Sequence, residues 1–531
     1  MFVHLHCHSH YSFLRGVASP DEIIAAAVEQ NMSAVALTDT NGMYAAVPFY
    51  TKAKHAGLKP IVGVTLDVKC RISSEEFRNS PSVPITLLAM DTDGYSNLCQ
   101  LTTLRQLGTT KLASLAVPAN AGKRHATPGA FTQNAAAAET DGRPAALEEL
   151  AKHSRGIIAL CPLPARVHDD GNRTGTIRRA PHQSPVAIYF SQLKQIFADR
   201  LYIEVQHLSA SDGRTIREAE RLGRALGIPL VVTNNVHFLR LEEHLHHRAV
   251  NAIRTGGLLT TIVPPEITSA EAWFKPVAEM QKCFPDHPEW LEATIEIADG
   301  CNLQLELGKL ILPECSVPDG ESAFSYLWKL SFDGARKRYK PLRPEVLSRL
   351  THELEVIEHW KLAPYFLLVS EIVQEARRRG IPAIARGSAA SSMVTYCLGI
   401  SRVCPLRWGL YFERFLNERR GDCPDIDIDI CGARRDELLD YVYEHWGAEH
   451  VAMIGSFITM HARLAVREVA KVFGVPPGEV DRFTKRLPHR PVREILQAIR
   501  QLPECRDLPI DEEPWKTILQ VARRLRSRAL P

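Results

Sequence analysis

The first 65 residues alternate between two hydrophobic periods, and this alternation restricts the fold more than any other feature of the chain. A β-rich start, Phe2 to His8, leads into SPDEIIAAAVEQ. There Ser19 can cap a helix, Pro20 suits its first turn, and Asp21 and Glu22 complement its dipole. A strand (SAVALTDT), an Ala-rich helix around Tyr44 to His55 and a further strand (KPIVGVTLDV) follow. The same grammar resumes at VPITLLAMD, GIIAL, LYIEV, SDGRTIREAERLGRALG and IPLVVTNNVHF. Strands that alternate with helices predict an α/β fold with parallel strands. Between about 111 and 185 the chain turns rich in Ala, Gly, Pro and Thr, which predicts a loop-rich insertion. From about Ile262 long helical patterns take over, among them RPEVLSRLTHELEVIEHWKL, so a boundary is expected near 265.

With 531 residues, 45% of them hydrophobic, the chain is long enough for several domains of roughly 100–200 residues each. Its net charge is only +3, but residues 457–531 hold 15 Lys/Arg against 9 Asp/Glu, a local +6. That basic stretch suits either phosphate contacts or an ordinary solvated face. The 12 cysteines are scattered without a C-x-x-C pair, and the start MFVHLHCH has neither a basic nor a long apolar leader segment. A reducing cytoplasm is the expected location. No run approaches the ~18 apolar residues of a membrane span.

His4, His6, His8 and His10 alternate, so on a strand all four imidazoles face one way. Converging imidazoles at a strand end suit a metal; a polar strand end with satisfied histidines is the competing reading. A second alternation is CPDIDIDI, residues 423–430, in which Asp425, Asp427 and Asp429 are separated by single isoleucines. An EF-hand loop would need Gly and Glu where Ile430 and Asp436 stand, so calcium of that type is excluded. Two readings remain: an edge strand with a solvated acidic face, or a catalytic strand whose Asp425 and Asp427 jointly bind magnesium for phosphoryl transfer. Upstream, ARGSAASSMVTYCLG predicts a tight turn that opens a helix, with Ser388 as cap and Gly387 permitting close backbone approach to a triphosphate. Arg386 and Arg414 add charge that can pair with phosphates or with surface acids.

The motifs HLHCHSHYSFLRG, ALTDTNGMYAAVPFY, KPIVGV, LLAMDTDGYSNL and TNNVHF resemble those of the polymerase and histidinol phosphatase (PHP) domain. That resemblance implies a distorted βα-barrel whose metallophosphoesterase members bind several metal ions. Residue by residue it carries over to His6, His8 and His237, with Asp39 nearby. Arg15, Thr40, Thr65 and Asn235 stand where the family has an acid, a histidine, an acid and an aspartate, and Cys161 aligns with a late cysteine ligand. The lost carboxylates remove the charge that several divalent ions need. A mainly structural domain is expected, with at most one weakly held Zn²⁺ or Mn²⁺.

YFLLVSEIVQEARRRGIPAIARGSAASSMVTYCLGI, LYFERFLNERRGDCPDIDIDI and the segment from HVAMIGSFITMHARLAVREVAKVFG to KRLP are similar to the palm and thumb of the bacterial DNA polymerase III alpha subunits, the C-family polymerases. The opening motif and RGSAASS look more like the error-prone, mutagenic-repair branch. The resemblance implies a PHP domain over 1–265, a polymerase-beta-like α+β palm over 266–456 and a helical thumb over 457–531. It further implies DNA-directed DNA synthesis with Mg²⁺, primer-template DNA and deoxynucleoside triphosphates, serving replication, repair or translesion synthesis. Asp425 and Asp427 are the implied metal ligands; Arg386, Gly387, Ser388 and Arg414 are the phosphate-binding group expected from the turn and its charges. Members are much longer, with a third catalytic aspartate and nucleotide-selecting fingers beyond the acidic pair. On that comparison the chain is expected to be truncated and inactive alone, acting with a missing C-terminal portion or with other replication or repair subunits. A PHP-type metal-dependent phosphoesterase and a non-catalytic DNA-binding module are the alternatives.

Overall fold

The computed structural model describes residues 2–69, 82–114, 143–164, 184–263, 267–309, 311–417, 423–447, 450–455, 458–488, 495–525 and 529–530. They form two compact units, one holding the described residues of Met1–Thr110, Lys123–Leu305 and Gly455–Pro531, the other those of Lys111–Gly122 and Glu306–Ile454. Much of the predicted insertion lies outside the described residues.

The first unit is built on six strands in spatial order β1 to β6: Ala34–Leu37, Lys59–Lys69, Ser82–Ala89, Ile157–Pro162, Leu201–Val205 and Leu230–Val232. Pairs β1/β2, β4/β5 and β5/β6 are parallel, whereas β3 runs antiparallel to both neighbours. This corrects the expectation of parallel strands throughout. Lys69 pairs directly with Ser82, so the chain re-enters the sheet at the end where it left and no crossover to the far end occurs. The predicted helix start at Ser19 is a capping box: Glu22 N donates to Ser19 Oγ at 3.2 Å and Ser19 N to Glu22 Oε2 at 2.9 Å.

The N-terminal segment is extended but joins the sheet through only a few hydrogen bonds. Ala36 N donates to His4 O (2.9 Å) and Thr38 N to Cys7 O (2.8 Å) on one side; Val236 N donates to His6 O (2.9 Å) on the other. Residues 4–8 thus bridge β1 to the segment after β6, and the sheet curls into a distorted barrel. Beneath it, Val3, Leu5, Ala36, Ile61 and Val231 share a core with Ala293 and Ile297 of helix Pro288–Gly300, beyond the boundary expected near 265. Residues after Gly455 also pack on this unit, Val466 and Val469 sharing a core with Val250 of helix His244–Thr255. A short pair, β9 (Ile458–Thr459) with β10 (Ala529–Leu530), lies in the same stretch.

In the second unit helices Ala323–Arg338, Pro344–His359 and Ala363–Arg378 pack around Leu350, Leu354 and Phe366. They support a two-stranded ribbon of β7 (Ala383–Arg386) and β8 (Asp427–Ile430).

Candidate functional site

Alternation in the ribbon separates an apolar from a charged face. Ala383 and Ala385 are buried, Ile426 is 9% exposed, and Ile428 and Ile430 pack on the core beneath, so Asp425, Asp427 and Asp429 all emerge on the solvent side. The antiparallel register sets Arg386 opposite Asp427 and Ile384 opposite Asp429. Gly387, which follows Arg386, has φ +68°, a left-handed conformation that a side chain strains to adopt. A Cβ placed there would lie 3.6 Å from Asp427 Oδ2. The Gly-Ser turn therefore borders the acidic strand, with Ser388 exposed beside it.

One predicted detail differs. Ser388 sits in a 3₁₀ turn, Gly387–Ser391, and caps no helix; the helix Met393–Leu398 is capped by Ser392, whose Oγ accepts from Thr395 N at 3.2 Å. Arg386 Nε lies 3.3 Å from Asp429 Oδ1, so this arginine already has an acidic partner, in an exposed and screened pair. Arg414 is exposed at the end of a 3₁₀ turn, Phe412–Arg414, which lies against the Gly387–Ser391 turn.

The supporting residues escaped the sequence reading. Ile426 N, between the two candidate ligands, donates to Tyr365 Oη at 3.1 Å. Glu353 is buried beneath the turn, accepting from Arg349 Nε (2.6 Å), Ser392 Oγ (2.8 Å) and Val394 N (3.2 Å). Burial raises its carboxyl above the usual range although these donors oppose the shift. Arg349 Nη2 also donates to Ser391 O (3.2 Å) and Leu410 O (3.0 Å), tying the turn to the following loop. An acid and an arginine four apart on a helix are a signal for a pair, not for its burial.

In the first unit the predicted histidines separate. His4 is buried against Phe2 and Phe274 with Nε2 2.9 Å from Lys275 O, and the His10 ring lies tilted against Tyr11 in a turn. His6, His8 and His237 do converge: His6 Nε2 is 2.9 Å from His8 Nε2, and the His8 and His237 rings are 4.3 Å apart. Thr65 Oγ1 (3.1 Å) meets the same His6 nitrogen, and Asn235 Oδ1 (3.1 Å) meets His8 Nε2. Thr40 Oγ1 reaches His8 Nδ1 at 3.2 Å. Burial, then neighbouring imidazoles and Arg15, holds His8 and His237 well below the usual histidine range, hence neutral. Both oxygens of Asp39 accept from the 9–12 loop: Ser9 N (2.6 Å), Ser9 Oγ (2.8 Å) and Ser12 Oγ (2.7 Å). Cys161 is buried in the hydrophobic core.

The buried carboxylate that does reach the histidines is Glu204, accepting from His6 Nδ1 (2.6 Å) and Thr233 Oγ1 (2.5 Å). Burial would raise its pKa, but the charge and hydrogen bond of His6, with help from Thr233 and Gln206, bring it below the ordinary carboxylate range. A lone acid within the apolar strand LYIEV was its only sequence signal. Among the described residues no group of three His, Cys, Asp or Glu side chains is arranged to hold a metal ion. Thr65 and Asn235 hydrogen-bond the imidazoles where charge-balancing acids would be required, so the residues present do not fit a multinuclear cluster.

A curled α/β barrel with a histidine cluster, in a chain that also carries an acidic strand beside a Gly-Ser turn, defines a PHP domain coupled to a polymerase-type domain. Residues 4–208 match the PHP domain, and residues 325–529 match the bacterial DNA polymerase III alpha NTPase domain. The chain is 36% identical over 533 residues to an error-prone DNA polymerase of Symbiobacterium thermophilum, covering 99% of this chain and 46% of that protein. It is 33% identical to the DNA polymerase III subunit alpha of Bacillus subtilis and 32% to that of Escherichia coli K12, again over 99% of this chain and 43% of each relative. The chain carries a PHP domain and a bacterial DNA polymerase III alpha NTPase domain, and it spans less than half the length of these relatives. An amidohydrolase structure from Chromobacterium violaceum aligns at TM-score 0.28 and 16% identity over 45% of this chain and 88% of that one, too low to bear on the assignment. No helix among the described residues is long and apolar enough to cross a membrane.

Proposed function

We propose that this chain carries the metal- and triphosphate-binding part of a DNA-directed DNA polymerase of the error-prone alpha-subunit type, acting in the cytoplasm in repair or translesion synthesis. The observation that carries this reading is the ribbon register, with Arg386 opposite Asp427 and the Gly387–Ser388 turn against the same carboxylate. Asp425 and Asp427 would hold Mg²⁺, their exposed, side-by-side carboxylates suiting a hard cation with retained water. Bound there, the metal would supply neutralisation of triphosphate charge and activation of a primer 3′-hydroxyl. Gly387 lets the backbone approach the phosphates, Ser388 offers a hydroxyl, and Arg414 offers charge from the adjoining turn. Arg386 joins them only by exchanging Asp429 for phosphate. The division into PHP residues 1–265, palm 266–456 and thumb 457–531 goes with this reading. So does completion of the centre by a further carboxylate and a nucleotide-closing surface from another part of the polymerase, since two acids alone hold two metal ions poorly.

Within it the PHP domain is structural, its histidines hydrogen-bonded to one another and to Thr65 and Asn235. The experiment is Mn²⁺ titration followed by electron paramagnetic resonance with a deoxynucleoside triphosphate present. Wild-type chain should bind Mn²⁺, and Asp425→Asn with Asp427→Asn should abolish that binding. Binding indifferent to both substitutions refutes the proposal. Near-stoichiometric metal lost on His6→Ala would instead favour the phosphoesterase alternative.

A further inference from the structure

The segment after the Gly-Ser turn, residues 401–414, ends at Arg414 and carries further exposed side chains that the proposed centre does not use. Trp408 is 64% exposed and Tyr411 71%, more than any other described tryptophan, tyrosine or phenylalanine. Tyr and Trp are enriched at binding surfaces, where an apolar ring body meets a polar surround. The same segment carries Arg402, Arg407 and Arg414, all exposed and without an acidic partner among the described residues. The Arg407 guanidinium lies 5.5 Å from the Trp408 ring centroid, covering part of one face and leaving the indole otherwise open. This loop has a fixed base. Leu410 N donates to Pro405 O (2.9 Å), and Arg349 binds Leu410 O and Ser391 O with one guanidinium nitrogen. Leu410, between Trp408 and Tyr411, is thus tied through Arg349 to the turn that borders Asp427.

Exposed aromatic rings interleaved with unpaired arginines suit one ligand class, a single-stranded polynucleotide, whose bases stack on rings and whose phosphates pair with guanidinium groups. A protein partner would favour an apolar patch poor in unpaired cations, whereas this patch combines open rings with two exposed arginines, Arg402 and Arg407, against the single acid Glu413. We propose that residues 402–414 form a stacking platform for unpaired nucleotides, with Trp408 and Tyr411 contacting bases and Arg402 and Arg407 contacting phosphates. The inference deepens the proposed function and rests on it, since it fixes where a template strand would run relative to the acidic ribbon.

The test uses the whole chain and a fluorescently labelled short oligothymidylate, with binding read as anisotropy across a salt series. Trp408→Ala and Tyr411→Ala should each weaken binding by roughly 5- to 150-fold, the effect of losing one base stack, while Trp408→Phe retains most of it. Arg407→Gln should flatten the plot of log affinity against log salt by about 0.7. Affinity unchanged by both alanine substitutions overturns the platform; it would mean that this surface is covered by polypeptide or left bare. Circular dichroism confirms that each variant is folded. Mn²⁺ binding measured alongside separates the two readings. Stacking effects without Asp427-dependent Mn²⁺ binding would sink the metal centre and leave the platform standing, whereas Mn²⁺ binding without stacking effects would do the reverse.

Discussion

Arg386 and Asp427 face each other across the antiparallel β7/β8 ribbon, and this pairing brings a turn and an acid separated by forty residues of sequence into contact. Gly387 holds the turn in a left-handed conformation at φ +68°. Gly387→Ala should therefore cost about 1–2 kcal/mol of stability in the second unit, because a Cβ is strained there although space exists for it. Gly387→Asn should cost less. Urea unfolding of the three proteins side by side checks the order; equal midpoints for alanine and glycine would show that the turn relaxes.

The acidic face should be nearly neutral for folding. Asp425 and Asp427 are exposed, so Asp425→Asn and Asp427→Asn should each move stability by no more than about 0.5 kcal/mol. Ile426→Ala, by contrast, removes a side chain that is 9% exposed and packed in the core, and should cost about 2–4 kcal/mol. Thermal and urea unfolding of these variants together reads the contrast.

Beneath the turn, Glu353 is a buried acceptor for Arg349, Ser392 and Val394. Glu353→Ala should destabilise by about 3 kcal/mol, since Arg349 loses its carboxylate and two donors lose their acceptor. Glu353→Gln should recover part of that loss. Amide exchange at Val394, whose N–H bonds Glu353, should accelerate in both variants; protection equal to wild type would contradict the capping role.

Acid should weaken the first unit in a defined window. Burial lowers His4 from 6.5 to about 4, the bond to Lys275 O and the Lys275 charge acting as smaller opposing and reinforcing effects. Folded His4 therefore stays neutral while the unfolded chain protonates, so its contribution is complete above pH 6.5 and is lost as the pH falls toward 4, a change of about 3 kcal/mol. Asp39, raised by burial to about 6, works in the opposite direction, gaining stability as the pH falls below 6. His4→Leu should flatten the fall in urea midpoint between pH 7 and pH 4.5. An unchanged slope would assign the acid sensitivity to other groups.

Arg524, in helix Trp515–Arg524, binds Glu22 Oε1 at 2.9 Å and also Glu243, two acids that already cap local structure in the barrel. Arg524→Ala should cost about 1 kcal/mol, consistent with a pair that is half exposed at the arginine. Hydrogen exchange should report it as faster opening of helix Trp515–Arg524, with the β1–β6 sheet unaffected.

Features that depend on neighbours a few residues away were legible in the sequence. The period of two in CPDIDIDI assigns its acids to one face and its isoleucines to the other, and Ser19, Pro20 and Glu22 specify a helix start. Gly387 signals a backbone conformation closed to most residues. Tertiary structure alone decided that β3 runs opposite to the rest of its sheet, that Ser392 caps a helix in place of Ser388, and that Glu204 and Tyr365 reach His6 and Ile426. Strand direction and the partner of a buried acid depend on chain segments tens or hundreds of residues apart. Local periodicity fixes which way a side chain faces, but only the packed chain fixes what it meets.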